Sequence, residues 1–415
     1  MERDDQFPVN VSRLDAAWSV LYQLEQAGFQ AYLVGGCVRD MLLGNSPDDY
    51  DVATNALPSE VQELFPRTVP TGIRHGTVTV LMGDERIEVT TFRTEGEYAD
   101  SRRPASVKYV STLEVDLSRR DFTINAMAMD RHGRIIDPFE GRADLQKKTI
   151  RAVGEPEKRF QEDALRMLRA IRFAVVLHFS IEERTWLAIT ENAGNLSRIS
   201  RERIRDEWNK IILSDIQVGI QLLNKAGLFD VVFPDVPLQS PRKLMQAAEF
   251  AKRLPEKIAL RQAALFRQLS VGETAVQKIL RELRQPNALI RSVISILRAI
   301  PDVDPLTWTD AAWRRYLYCH GKDIALDAFL IVGYIRVEKQ NLILNKLYES
   351  IQKQPIWSVK DLTVTGQDLI AELNIPPDPV IGHILERLTE LVLENPLCNT
   401  RQSLLAAARE MYENL

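Results

Sequence analysis

A chain of 415 residues is too long for one ordinary hydrophobic core and implies two to four domains. Its 45% hydrophobic content is that of a soluble globular protein, and with no apolar run near ~18 residues and no basic and apolar leader in Met1-Glu-Arg-Asp-Asp-Gln6, the expectation is a cytoplasmic protein with no membrane partner. The net charge of −4 excludes a generally basic nucleic-acid coat, but residues 1–65 hold three basic and eleven acidic side chains, so the rest carries +4 and can form a local basic groove.

In chain order, a strand at Tyr32–Val34 leads into Gly35-Gly36-Cys37-Val38-Arg39-Asp40. The glycines let backbone approach a ligand, the turn that follows offers free N–H groups to an anion, and Arg39 adds a fork suited to phosphate. Asp40 would repel phosphate and is expected to pair with an arginine. The segment Asp49–Thr54 alternates like a strand, which would put Asp49 and Asp51 on one face, able to share a divalent metal. Further strands are expected at Asp51–Ala53, Val78–Leu81, Arg86–Thr91 and near Ala126–Asp130, with Glu88 on the third of them. Taken alone, an Asp-x-Asp is as readily a solvated strand end, and Glu88 an exposed strand residue.

Tyr98-Ala-Asp-Ser-Arg-Arg-Pro104 is polar and lacks a clear period, as a mobile lid would. Arg119-Arg120-Asp121 precedes an expected strand over Phe122–Met129. From Leu145 onward apolar residues recur at three- and four-residue spacing, so the remainder reads as almost all helix. Glu157–Ala174 reads as one helix with Ala164, Leu168 and Ile171 on its apolar stripe. Asp163, Arg166, Arg169 and Arg172 step along it at three-residue intervals, making Asp163 and Arg166 near neighbours. An aspartate accepting from an exocyclic amine beside an arginine donor can address the Watson–Crick edge of cytosine or adenine. A solvated face with an ordinary ion pair is the bland alternative. Breaks are expected at Gly154–Pro156, Phe233–Pro237, Pro301–Pro305 and Pro376–Pro379. Cys37, Cys319 and Cys398 form no Cys-x-x-Cys pair, against a disulfide framework or zinc site.

Four segments in this order and spacing, Gly35–Asp40, Asp49–Asp51, Arg119–Ala128 and Glu162–Phe173, resemble the class II tRNA nucleotidyltransferases, the CCA-adding family that also includes bacterial poly(A) polymerases. The resemblance implies an α/β nucleotidyltransferase head with a mixed, polymerase β-like palm sheet over residues 1–140. It implies an all-α neck over 141–212, body over 213–330 and tail over 331–415. It implies Mg2+ held by Asp49 and Asp51 with Glu88 catalytic beside them, triphosphate on Gly35, Gly36, Arg39 and Arg120, and base selection by Asp163 and Arg166. Arg169 and Arg172 would reach phosphate or ribose, Asp121 would organise the arginines, and Ser200–Glu207 would brace the nucleotide site. The implied partners are the tRNA 3′ end, CTP and ATP, with a homodimer as a possible assembly. Addition of A alone, poly(A) synthesis and a noncatalytic RNA-binding role stay open as alternatives.

Overall fold

The computed structural model describes residues 12–95, 107–373 and 378–414. The lid expected at Tyr98–Pro104 lies outside them. The chain divides into two compact units, residues 1–236 and 237–415, close to the break expected at Phe233–Pro237.

The first unit opens with helix α1 (Arg13–Gln26), capped by Ser12 and buried through Ala16, Ala17, Val20, Leu21 and Leu24. No element is expected here from the sequence. There follow β1 (Ala31–Val34), α2 (Gly36–Leu42), β2 (Asp51–Thr54), α3 (Pro58–Leu64), β3 (Thr68–Gly72), β4 (Thr77–Met82) and β5 (Glu85–Thr91). A short ribbon pairs β6 (Arg93–Glu95) with β7 (Val107–Tyr109), and α4 (Leu113–Ser118), β8 (Ala128–Met129) and β9 (Ile135–Ile136) complete the region. A seven-stranded mixed sheet runs in the order β3-β4-β5-β2-β1-β8-β9. The expected α/β head is therefore present. Two strands of this sheet were not expected, β9 and β3, and the Val-Pro-Thr centre of β3 is exposed at the sheet edge, where the missing N–H of Pro70 costs no ladder bond.

In this sheet β2 lies antiparallel to β1 and parallel to β5, which sets Asp51 opposite Val34 on one side and Glu88 on the other. The expected strand over Phe122–Met129 shrinks to Ala128–Met129, because Thr123–Asn125 forms a 3-10 turn. Its polar side chains are engaged locally, Thr123 Oγ1 donating to Asp144 and Asn125 Nδ2 to Asp121, and such bonds compete with a strand ladder.

Beyond the sheet lie α5 (Gly141–Gln146), the short parallel pair β10 (Thr149–Ile150) and β11 (Ser180–Ile181), α6 (Pro156–Glu162), α7 (Leu165–Leu177), α8 (Glu183–Asn192), α9 (Arg201–Leu213), α10 (Ile216–Lys225) and α11 (Phe229–Val232). The single helix expected over Glu157–Ala174 is thus broken. Asp163 has extended backbone (φ −145°, ψ 101°), and its carboxylate accepts from Leu165 N at 3.1 Å, competing with helix continuation as short polar side chains do.

The second unit is helical from Pro241–Lys252 to Arg401–Glu413. Trp308, Trp313, Tyr316 and Phe329 interlock in one aromatic group, and Ile356, Leu369, Ile384, Leu388 and Leu404 centre another core. The expected body–tail limit at 330 falls inside the continuous helix Lys322–Ile335, where Phe329, Ile331 and Val332 are all buried, so it is not a break in the chain.

Candidate active site

Two adjoining cavities occupy the first unit, and Asp51 lines both. The acidic one, about 500 Å³, is lined by Asp49, Asp51 and Glu88 with Thr71, Thr79 and Arg86. Strand alternation explains it: Arg86 and Glu88 share a face of β5 while Ile87 and Val89 are buried on the other, and Glu88 lies opposite Asp51 on one side and Thr79 on the other. Burial raises the Asp51 carboxyl to about 6, the negative charges of Glu88 and Asp49 push the same way, and Arg120 opposes them.

Asp49 departs from expectation. It lies before β2 rather than on it, its side chain is 91% exposed, and it pairs with Arg13 at 3.5 Å. Among the described residues no three carboxylate, imidazole or thiol groups are already grouped to hold one metal ion. The sheet fixes Asp51 and Glu88 side by side, while Asp49 lies in the loop before β2.

The second cavity is lined by backbone at Gly35 and Gly36 and by a crowd of arginines. Gly35 ends the β1 run at φ 78°, ψ −131°, a conformation only glycine adopts without strain, and a Cβ there would lie 2.7 Å from Arg120 Nη1. Substituting Gly35→Ala should therefore displace Arg120 and strain the turn. The expected result is a rise of about tenfold or more in the KM for CTP with a stability loss of ~1–3 kcal/mol, read by steady-state kinetics beside urea unfolding.

Arg39 donates from Nε and Nη2 to the two oxygens of Asp40, at 2.8 Å each, and from Nη1 to Asn125 Oδ1 at 2.7 Å. Asp40 is thus the pairing acid expected of it. Three of the guanidinium's five donors are used, leaving two for a ligand. Arg120 is held only loosely by the protein: Nη2 stands 3.5 Å from Asp116, and Nε has no hydrogen-bond partner. Asp121, expected to organise Arg119 and Arg120, pairs instead with Arg169, while those two face Asp116. Burial would raise its carboxyl, but Arg169, followed by the Asn125 hydrogen bond, outweighs that and brings it to about 2. Arg169 reaches it through Nε at 2.7 Å and Nη2 at 2.6 Å.

Although the helix breaks at Asp163, Asp163 and Arg166 stay near neighbours as expected, the Arg166 backbone N–H donating to the Asp163 carbonyl at 3.0 Å. The Asp163 carboxylate is gripped by the fork of Arg203, at 3.1 and 2.7 Å, while the Arg166 side chain donates to Glu162 at 2.7 Å and to the Arg119 carbonyl at 3.1 Å. Both still line the cavity, as do Arg169, Arg203 and Asn125. Arg172 does not. It turns inward, its Nε bound to the buried Glu207 and its guanidinium 3.8 Å from the Phe173 ring, away from the cavity where a phosphate or ribose contact was expected.

The residues underweighted by sequence reasoning are Asn125, Arg203 and Glu207. The last two stood in the charge alternation of Ser200–Glu207, a pattern that a solvated helix face shares. What distinguishes them is three-dimensional: Glu207 is 5% exposed and faces Arg169 and Arg172 together.

The wider comparisons agree with this geometry. Residues 31–151 match the Poly A polymerase head domain, 178–238 the probable RNA and SrmB-binding site of polymerase A, and 256–408 a putative second domain of tRNA nucleotidyltransferase. The CCA-adding enzyme of Limosilactobacillus fermentum is 38% identical over 410 residues, spanning 97% of this chain and 98% of its own. That of Bacillus cytotoxicus is 38% identical over 399 residues, spanning 95% and 98%. The chain belongs to the CCA-adding enzymes. The crystal structure of the Bacillus stearothermophilus CCA-adding enzyme in complex with CTP matches the fold with a TM-score of 0.82 at 34% identity, over 98% of this chain and 99% of that one.

The enzyme is thus a nucleotidyltransferase, and its family depends on a metal ion. The carboxylates of the acidic cavity suit a hard divalent cation: Asp51 and Glu88 sit on adjacent strands, and burial, with the negative charge of Glu88 and Asp49, disfavours the charged form of Asp51. Among the described residues no helix is long and apolar enough to cross a membrane.

Proposed function

We propose that this chain builds or repairs the 3′-terminal CCA of tRNA from CTP and ATP without a nucleic-acid template, using Mg2+ held by Asp49 and Asp51 with Glu88 beside them. The observation that carries this is the sharing of Asp51 between the acidic and the arginine-lined cavity. A nucleotide whose triphosphate runs along Gly35, Gly36, Arg39 and Arg120 presents its α-phosphate at that junction. When bound, Mg2+ lowers the pKa of the attacking hydroxyl and neutralises charge building on the phosphoryl and leaving oxygens.

The remaining work falls to the protein. Arg39 and Arg120 hold the phosphates in line so that the tRNA 3′-oxygen forms its bond to the α-phosphorus as the bond to the β-phosphate oxygen breaks. The hydroxyl proton passes to solvent and pyrophosphate carries away the electron pair. Asp163, oriented by Arg203, accepts from the exocyclic amine of cytosine or adenine, and Arg166 donates to the same edge. Uracil and guanine present a carbonyl there and leave buried polar groups unpaired, at a cost of ~1–3 kcal/mol for each group. Arg169 lies at the phosphate and ribose side. The helical second unit, residues 237–415, supplies the surface for the body of the tRNA.

The test uses three tRNA transcripts ending before CCA, after the first C and after CC, incubated with Mg2+ and with CTP and ATP singly and together, followed by sequencing of the 3′ ends. The expected result is CCA on the first transcript and termination there. A added only to the CC-ended transcript would assign the A-adding specialist, and long A tails on any RNA would assign a poly(A) polymerase. No extension by folded protein would assign a binding role.

A further inference from the structure

Asp49 is the one proposed metal donor outside the sheet, and what anchors it is an arginine from a distant part of the chain. Arg13, the first residue of α1, places Nη1 3.5 Å from Asp49 Oδ1 and also donates it to the Asp48 carbonyl. Its Nε donates to Glu85 Oε2 at 2.6 Å. Glu85 opens β5, the strand that carries Glu88. The guanidinium therefore ties the loop bearing one carboxylate to the strand bearing another. Its own base is rigid, because α1 is capped by Ser12 and packed on β1, β2 and β5 through its buried apolar face.

We propose that Arg13 is a positioning residue that presents Asp49 to the metal-holding carboxylates. A loop already fixed at its carbonyl and carboxylate loses less conformational freedom when a cation binds. The opposing effect is repulsion between the guanidinium and the cation. At a carboxylate as exposed as Asp49 that repulsion is screened by water and salt, whereas the ordering of the loop is not, so positioning prevails.

The inference rests on the metal-holding role proposed for Asp49 and Asp51, and the experiment separates the two. Mn2+ binding to the full chain without nucleotide is followed by the electron paramagnetic resonance signal of free Mn2+, for the unaltered protein and for R13A, R13K, E85Q and D49N, with circular dichroism melting to confirm folding. R13A is expected to raise the Mn2+ Kd about fivefold, and E85Q, which keeps the hydrogen bond of the other anchor but removes its charge, about twofold. R13K, which keeps the charge but loses the fork, should raise it about twofold. In turnover the Mg2+ concentration for half-maximal rate should rise in R13A while kcat at saturating Mg2+ stays unchanged. Unchanged or tighter Mn2+ binding in R13A overturns the positioning role. If D49N itself binds Mn2+ as tightly as the unaltered chain, the metal-holding role of Asp49 fails instead.

Discussion

Substituting Asp51→Asn is expected to abolish CCA addition, by on the order of 10³-fold or more, while making the metal-free protein more stable. The two effects share one cause. Asp51 lies beside Glu88 in register and near Asp49, and its carboxyl titrates at about 6 against ~3.9 in an unfolded chain. The folded state therefore binds the extra proton between these values. Its stability should rise as pH falls from 7 through 6 toward 4, and the penalty of the charged group should be fully present above 6. Asp51 is crowded by surrounding protein yet opens into a solvent-filled groove, so screening reduces that penalty to about 1 kcal/mol, which corresponds to a melting shift of ~2–4 °C for a unit of this size. Asp51→Asn removes the charge and should melt higher than the unaltered protein at pH 7.5 and equally at pH 4.5. Adding Mg2+ at pH 7.5 should raise the melting temperature of the unaltered chain and leave that of the variant unmoved. Scanning calorimetry across pH, with and without Mg2+, checks each part.

The head of the molecule is legible in the sequence where local pattern and tertiary role coincide. β1, β2, β4 and β5 appear within about a residue of their expected limits because short alternating runs between turn signals leave little choice of conformation. The pairing Asp51 with Glu88 is a different matter, since the order β5-β2-β1 is set by crossovers that periodicity does not encode. The breaks in the reading fall at polar residues whose side chains bond their own or nearby backbone. Asp163 interrupts what the three-residue steps describe as a single helix, and Thr123 and Asn125 curl an expected strand into a turn. Both are lining or supporting positions of the arginine cavity, where local preference gives way to the demands of the site. The step pattern Asp163, Arg166, Arg169, Arg172 also hides a division of labour. The first three reach the cavity, whereas Arg172 is turned round the helix and away from it, toward a partner thirty-five residues downstream in sequence.

That partner, Glu207, is the subject of the second large effect. Substituting Glu207→Ala should destabilise the first unit by ~3–5 kcal/mol, because it leaves the buried Arg172 with an uncompensated charge and strips one contact from Arg169. Glu207→Gln keeps shape and hydrogen-bonding capacity and should cost only ~1–2 kcal/mol. A double change, Arg172→Met with Glu207→Leu, fills the same space without charge and should recover most of the stability lost in Glu207→Ala, since burying an ion pair is seldom better than burying apolar groups of like volume. Activity should not follow stability. Arg169 stands between Asp121 and Glu207, and with one anchor gone it is free to swing from its place at the cavity. The apolar pair would then restore the fold and leave the KM for CTP raised, measured in urea unfolding and in single-nucleotide addition with the same preparations. Recovery of both together would mean that Glu207 serves packing alone. Recovery of stability without substrate affinity would mean that the buried charge is kept to hold Arg169 in place.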